Sequence, residues 1–203
     1  MNSKFKAVGF DYGGVVYGKP GSYFDARVSQ LLDMTAEEFR QEYLKVNYKV
    51  NNGIISKDVF WKEFLNDMGK SEKYDECEIL IRSIQNEKTI NNEILELVDT
   101  LKNNGYKVGL LSNNSLDARK KFEAHGILDH FDVTIISAEV GLSKPESKIF
   151  ELFVSQLGVT PQELVFIDDS EHSLSTAREL GFTPLLFTDQ EKLLKDLKNL
   201  EVI

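Results

Sequence analysis

The chain has 203 residues, 41% of them hydrophobic and 28% charged, which suits one sizeable domain or a core with a small insertion. Its formal net charge of −9 argues against nucleic acid or anionic lipid as a partner, since both bind clustered Lys and Arg. The single cysteine, Cys77, excludes an internal disulfide and a cysteine-based metal cluster. No apolar stretch is long enough to predict a membrane span, and Asp11 interrupts the first apolar run too early for a signal peptide. We therefore expect a cytoplasmic protein.

The first predicted element is a buried strand. The apolar run Val8–Phe10 ends at Asp11, and Gly13 and Gly14 then allow the backbone to turn sharply. A carboxylate at the C-terminal end of a buried strand lies where open α/β sheets bind their ligands. Taken alone, Asp11 fits the opening of an ordinary turn equally well.

Residues 18–88 carry helical patterns and no convincing strand. Thr35 and Glu38 have the spacing of a capping box, and Ser56 can cap a second amphipathic helix. We expect this stretch to form a small helical cap domain inserted after the first strand. The rest of the chain would then form the core, which comprises residues 1–17 and 89–203.

From residue 90 onward, predicted helices and strands alternate, and a glycine follows each of four successive helices. The helices predicted by apolar spacing cover about 90–101, 116–125, 146–157, 173–180 and 193–200. The further strands predicted by short apolar runs are Lys107–Ser112, Val133–Ser137, Leu164–Asp168 and Pro184–Phe187. Five short strands that alternate with helices predict an α/β fold with a doubly wound, mainly parallel sheet.

Polar residues lie at or shortly after the ends of four predicted strands. In chain order they are Asp11, Ser112 with Asn113, Lys144, and Asp168 with Asp169. Each of them alone also fits a plain structural role as a helix cap, a turn residue or a solvated surface charge. Because the carboxyl ends of parallel strands meet at one edge of a sheet, their joint placement favours a functional site.

The set and order of these segments resemble the haloacid dehalogenase superfamily, whose members are mostly phosphatases. The similarity spans the whole chain and rests on four motifs in order: Phe10–Val15, Leu110–Asn113, Gly141–Pro145 and Phe166–Ser170. The helical block between the first and second motifs is similar to the family's C1 cap. The resemblance implies a phosphatase that acts on a small phosphorylated metabolite, and the Asp-x-Gly first motif is similar to that of members acting on sugar phosphates.

The resemblance also implies a nucleophile and a metal site. Asp11 would attack phosphorus and form an aspartyl phosphate that water then hydrolyses. Mg²⁺ would be bound directly by Asp11, Asp169 and the backbone carbonyl of Gly13, while Asp168 would support these ligands or bind through water.

The phosphoryl contacts implied by the resemblance come from the other two motifs. Ser112 and the backbone amide of Asn113 would donate hydrogen bonds to phosphoryl oxygens. Lys144 would balance the charge on Asp11 and on the transferring group.

Two departures from the family pattern affect the expected chemistry. Active phosphatases typically have a general acid–base Asp at the position of Gly13, and losing such a group costs roughly 10²–10⁴ in rate. A good leaving group, such as an anomeric sugar, would make that loss tolerable. His172 is one candidate to replace this general acid–base group, although an exposed loop histidine is the plainer interpretation. Ser173 stands where many relatives carry Asn.

Two other functions remain open from the sequence. A 2-haloacid dehalogenase would use Asp11 to displace halide and would need no acid at position 13, which agrees with Gly13. Such an enzyme would have no use for the cation site built by Asp168 and Asp169, which argues against it. A non-catalytic phosphate-binding or regulatory module would keep the same residues without turnover.

Overall fold

Strands at the centre of the molecule form one sheet. The computed structural model describes residues 4–20 and 24–203, so the first three residues of the predicted core and residues 21–23 of the predicted cap lie outside it. The strands in the described residues are β1 (Ala7–Phe10), β2 (Lys107–Ser112), β3 (Val133–Ile136), β4 (Leu164–Asp168) and β5 (Thr183–Leu186). Their order is β3-β2-β1-β4-β5, and every neighbouring pair is parallel. The predicted α/β class and doubly wound sheet are confirmed.

Strands β1 and β4 show why short apolar runs in the sequence predicted the sheet well. All residues of β1 and β4 are buried, as expected for parallel strands covered on both faces. The predicted bounds of β2 and β4 agree with the structure. Strand β1 begins one residue earlier than predicted, β3 ends one residue earlier, and β5 both begins and ends one residue earlier.

Five α-helices within residues 24–86 pack around a hydrophobic cluster of their own. They are α1 (Phe24–Leu31), α2 (Ala36–Val46), α3 (Tyr48–Asn51), α4 (Lys57–Asp67) and α5 (Tyr74–Asn86). The capping box of Thr35 with Glu38 is present, and the Ser56 side chain accepts a hydrogen bond from the Val59 amide. Cys77 is buried in this cluster. The separate cluster supports a cap domain, whose boundaries at 18 and 88 stay a prediction.

The remaining helices cover both faces of the sheet. They are α6 (Asn92–Asn103), α7 (Ala118–Ala124), α8 (Ser137–Val140), α9 (Ser147–Leu157), α10 (Glu171–Glu179) and α11 (Gln190–Asn199). Apolar residues of α6, α7 and α11 share one cluster with Phe10, and those of α9 and α10 share another with Phe166. Two apolar layers therefore hold the strands in place and leave the strand ends to carry polar groups.

The chain leaves and rejoins the core at neighbouring points. The Gly18 amide donates to the carbonyl oxygen of Thr89 at 2.9 Å, and the Asn91 amide donates to the carbonyl oxygen of Val16 at 2.9 Å. The segment that precedes α1 and the segment that follows α5 thus lie side by side. Among the described helices, none combines the length and apolar character that crossing a membrane requires.

Candidate active site

Asp11 and Asp168 lie at the carboxyl ends of the neighbouring strands β1 and β4. The Asp11 amide donates to the carbonyl oxygen of Ile167 at 2.8 Å, so the pairing of β1 with β4 fixes the Asp11 backbone. The strand order reverses direction between these two strands, because β2 and β3 lie on one side of β1 and β4 and β5 on the other. This is the switch point at which open α/β sheets form their ligand crevice.

Three carboxylates converge at this crevice. One oxygen from each of Asp11, Asp168 and Asp169 lies within 4.8 Å of the others. Asp11 is 8% exposed and Asp168 is 1% exposed, so these two carboxylates are shielded from solvent, whereas Asp169 is partly exposed. Hard oxygen ligands in this arrangement fit a divalent cation such as Mg²⁺.

Lys144 is the cation built into this cluster. Its Nζ lies 2.6 Å from Asp11 Oδ1 and 2.6 Å from Asp168 Oδ2, and its side chain is 3% exposed. Burial by itself would lower the pKa of Lys144, but the two carboxylates raise it above its ordinary value, so the ammonium stays charged. The interpretation of Lys144 as a solvated surface charge is wrong.

The Asp11 carboxyl experiences opposing influences. Burial raises its pKa most strongly, Lys144 lowers it, and the neighbouring Asp168 raises it again, with a net increase above the ordinary value. Positive charge beyond that of Lys144 would therefore favour the ionised form of Asp11 further. A divalent cation held by the same carboxylates would supply that charge.

Asp168 already has partners for both of its oxygens. Oδ2 contacts Lys144, and Oδ1 accepts a hydrogen bond from the Ser170 amide at 2.8 Å. These contacts favour the expectation that Asp168 supports the site rather than binding a metal ion as directly as Asp169. The roles of both residues remain predictions.

The Gly13–Gly14 turn lies against the carboxylates. Gly14 has φ +81°, and a Cβ atom on it would lie 2.1 Å from Asp169 Oδ2, so only glycine allows Asp169 its position. At Gly13, by contrast, the nearest atom to an added Cβ is Asp11 Oδ2 at 3.9 Å. The missing general acid is therefore not explained by lack of space.

The Asn113 side chain holds the loop that carries Lys144. Its Nδ2 donates to the carbonyl oxygen of Lys144 at 2.7 Å, and its Oδ1 accepts from the Lys144 amide at 2.8 Å. The family resemblance predicts a role only for the backbone amide of Asn113, so this side-chain contact was not predicted. No local pattern predicts it, since the two residues are far apart in the chain.

The other predicted residues differ in their placement. Ser112, the last residue of β2, is buried at the same sheet edge as Asp11. Ser173 is also buried, on the first turns of α10. His172 is exposed on the same helix, which matches the plainer of its two interpretations.

Comparison with known proteins identifies the family. Residues 5–181 match the family model of haloacid dehalogenase-like hydrolases, and the chain belongs to this family. The predicted resemblance is thereby confirmed.

Individual relatives give more detail. Bifunctional epoxide hydrolase 2 of Sus scrofa is 36% identical over 117 residues, which are 55% of this chain and 21% of that protein. The chain thus spans about one fifth of the length of that relative. Glyceraldehyde 3-phosphate phosphatase of Methanothermobacter thermautotrophicus is 27% identical over 202 residues, covering 91% of this chain and 86% of that protein.

One of the similar solved structures contains magnesium. A haloacid dehalogenase family enzyme from Bacteroides thetaiotaomicron, determined as a magnesium complex, has a TM-score of 0.67 and 26% identity, and the match covers 95% of this chain and 99% of that one. The similarity therefore extends over the core and the helices between β1 and β2.

Proposed function

We propose that this chain is a Mg²⁺-dependent phosphatase that hydrolyses a small organic phosphate, such as a sugar phosphate, through an aspartyl phosphate on Asp11. The observation that carries the proposal is the position of the Asp11 carboxylate. It is buried at the sheet's switch point, 2.6 Å from the Lys144 ammonium, and clustered with Asp168 and Asp169. A carboxylate held in this way is suited to act as a nucleophile toward an anionic group whose charge is balanced nearby.

Asp11 would take part in both half-reactions. In the first, an Asp11 oxygen forms a bond to phosphorus, and the bond between phosphorus and the leaving oxygen breaks. In the second, a water oxygen forms a bond to phosphorus and the bond between phosphorus and the Asp11 oxygen breaks, which releases inorganic phosphate and the Asp11 carboxylate. Because Gly13 offers no side chain for proton transfer, the leaving alkoxide takes its proton from solvent and the attacking water gives one up to solvent. Ser112 and the Asn113 amide would bind phosphoryl oxygens, and Lys144 would balance their charge.

The metal-binding residues in this proposal are Asp11, Asp169 and the Gly13 carbonyl, with Asp168 in support. When bound there, Mg²⁺ supplies the positive charge that cancels repulsion between Asp11 and the phosphoryl group. The buried carboxylate oxygens fit this cation, and a similar structure was determined as a magnesium complex.

The substrate class follows from the relatives and from Gly13. The relative that covers 91% of this chain is a glyceraldehyde 3-phosphate phosphatase, which supports a small phosphorylated metabolite as substrate. Because Gly13 has no side chain to protonate a leaving alkoxide, substrates with good leaving groups are favoured. The net charge of −9 supports the exclusion of nucleic acid, and a cytoplasmic location is part of the proposal.

The test measures release of inorganic phosphate from a panel of phosphate monoesters, with Mg²⁺ and with EDTA. We expect Mg²⁺-dependent turnover, abolished in Asp11→Asn and retained in Asp129→Asn, which removes an exposed carboxylate elsewhere. Undiminished turnover in Asp11→Asn, or with EDTA, would refute the proposal. Halide release from 2-haloacids without metal would identify a dehalogenase, and phosphate binding without turnover would identify a binding module.

A further inference from the structure

The turn after helix α3, in the predicted cap, lies directly against helix α8. Gly53 has φ +70°, and a Cβ atom on it would lie 2.6 Å from the carbonyl oxygen of Ala138. Two backbones that approach this closely leave no room for a side chain at position 53. A glycine therefore stands where the predicted cap meets the helix that follows β3.

Asn52 extends this contact to the Lys144 loop, which comprises residues 141–146 between α8 and α9. Asn52 Nδ2 donates to Glu146 Oε1 at 3.3 Å. Asn52 Oδ1 is buried, and no group among the described residues donates a hydrogen bond to it. Because an unpaired buried oxygen disfavours this position, the hydrogen bond to Glu146 offsets part of a cost. We call the joint contact of Asn52 and Gly53 the Asn52–Gly53 contact.

Glu146 also organises the Lys144 loop from within. Its Oε1 accepts from the Ser143 amide at 3.1 Å and from the Ser143 hydroxyl at 3.2 Å. The Glu146 amide donates in turn to the carbonyl oxygen of Ser143 at 2.8 Å. Ser143 is buried and immediately precedes Lys144. One carboxylate oxygen thus joins Asn52 of the predicted cap to the residue before Lys144.

The Lys144 loop is consequently held from two directions. Asn113 binds the Lys144 backbone from the loop after β2, and Glu146 connects the same loop to the predicted cap. The Lys144 Nζ lies 2.6 Å from both Asp11 and Asp168, so even a small shift of the loop would change both contacts. The placement of this ammonium therefore depends on how the predicted cap lies against the loop.

We propose that Glu146 is a positioning residue, which makes the placement of Lys144 depend on the Asn52–Gly53 contact. This role rests on the proposed phosphatase function, in which the Lys144 ammonium balances the charge on Asp11 and on the phosphoryl group. Glu146 acts through the backbone of the Lys144 loop and not on the reacting atoms. Release of the contact should thus slow the chemical step more than it weakens substrate binding.

The first experiment opens the contact with a matched pair of glycine variants. Gly53→Ala directs a methyl group at the carbonyl oxygen of Ala138, whereas Gly69→Ala adds the same group at φ +67° with no atom within 4 Å. Hydrogen exchange is measured by mass spectrometry on peptides that cover the Lys144 loop, in the protein without substrate. We expect exchange in the loop to be about tenfold faster in Gly53→Ala and unchanged in Gly69→Ala.

The second experiment reverses the hydrogen bond between Asn52 and Glu146. In Asn52→Asp two carboxylates face each other, so we expect faster exchange in the Lys144 loop and a kcat about fivefold lower, with a much smaller change in KM. Adding Glu146→Gln should restore both quantities, because the glutamine can donate to the new carboxylate while its oxygen accepts from Ser143. Glu151→Gln, at an exposed position on α9, is the control and should restore neither.

Three results would overturn the proposal. Unchanged exchange in Gly53→Ala would show that the Asn52–Gly53 contact does not reach the Lys144 loop. Failure of Glu146→Gln to restore Asn52→Asp would show that Asn52 does not act through Glu146. A rise in KM alone would show that the contact shapes substrate binding and not the placement of Lys144. Because exchange requires no turnover, a chain without phosphatase activity would still reveal whether the contact controls the loop.

Discussion

The Asp11 turn contains two adjacent glycines with different constraints. Gly14 adopts φ +81° and touches the Asp169 carboxylate, whereas an added Cβ on Gly13 meets its nearest neighbour only at 3.9 Å. The position of Asp169 requires a glycine at position 14. At position 13 the turn has room for a side chain, and the glycine there leaves this loop without a general acid.

Gly13→Asp tests that choice. We expect the variant to fold as the wild type does, because the turn has room for a side chain, and to lose less activity as the leaving-group pKa rises. The measurement is a plot of log kcat/KM against leaving-group pKa for aryl, anomeric and alkyl phosphates. Gly13→Ala adds the Cβ without the acid and should keep the steep wild-type slope. A shallow slope in the wild type would show that another acid already acts.

Gly14→Ala, unlike Gly13→Asp, should disturb the fold of the turn. Its Cβ would lie 2.1 Å from Asp169 Oδ2 at a φ that non-glycine residues rarely adopt. We expect a loss of about 1–3 kcal/mol in the free energy of unfolding and a clear rise in the Mg²⁺ concentration needed for half-maximal rate. Denaturant unfolding and Mg²⁺ titration measure the two effects, with Gly13→Ala as the matched control. Equal Mg²⁺ dependence in both variants would contradict the role given to Gly14.

At the scale of elements, the loop after β3 is held by the loop after β2. Both hydrogen-bonding groups of the Asn113 amide contact the backbone of Lys144, at 2.7 and 2.8 Å. The ammonium that contacts Asp11 therefore depends on a side chain from a different loop. Positioning of this kind is what an ordered catalytic site requires of its supporting residues.

Asn113→Ala should release that loop. We expect a loss of about 1–3 kcal/mol in the free energy of unfolding, because two partly buried hydrogen bonds lose their partner. We also expect kcat to fall more than KM rises, since Lys144 is displaced from Asp11. Asn103→Ala, an exposed asparagine at the end of α6, is the control and should change neither quantity. A variant with wild-type kcat would show that Lys144 keeps its place without Asn113.

The sequence predicted elements well where a local pattern determines them. The strands Lys107–Ser112 and Leu164–Asp168 were predicted with the observed bounds, because a short apolar run marks a strand buried on both faces. Helix α1 was not predicted. Of its eight residues only Val28 and Ser29 are buried, so its packing against α2 and α5 depends on partners later in the chain.

The site was predictable as a set of residues but not as a set of contacts. Strand-end placement and motif order predicted that Asp11, Lys144 and Asp168 belong together. The burial of Lys144 and its contacts with both carboxylates depend on sheet order, which no local pattern specifies. The contact between Asn113 and Lys144 is equally non-local.

At the scale of the whole molecule, the sheet buries the Asp11 carboxyl group, and burial makes its ionisation less favourable. Burial raises the pKa of Asp11, Lys144 lowers it, and Asp168 raises it again, so the Asp11 carboxyl competes for protons at a higher pH than an ordinary aspartate does. In the proposed metal site, binding requires the ionised form of Asp11, so protons and Mg²⁺ would compete for this group.

Mg²⁺ affinity should fall as the pH is lowered from about 8 to about 6, a range in which an ordinary aspartate would stay ionised. Calorimetric Mg²⁺ titrations at the two pH values measure the effect. In Asp11→Asn the affinity should be weaker and should lose most of this pH dependence. The same affinity for the wild type at both pH values would show that Asp11 is already fully ionised or does not bind the metal.

The chain leaves the core and returns to it at neighbouring points, and this arrangement affects how such a protein can evolve. Gly18 and Thr89 are joined by one backbone hydrogen bond of 2.9 Å, so the stretch between them begins and ends at the same place on the core. A tight turn could join the two points without moving β1 or β2, and a different folded insert could start and finish there. The sheet and the helices of residues 24–86 could thus be inherited separately. Under the proposed function, an exchanged insert would change substrate choice while Asp11 and its neighbours stay in place.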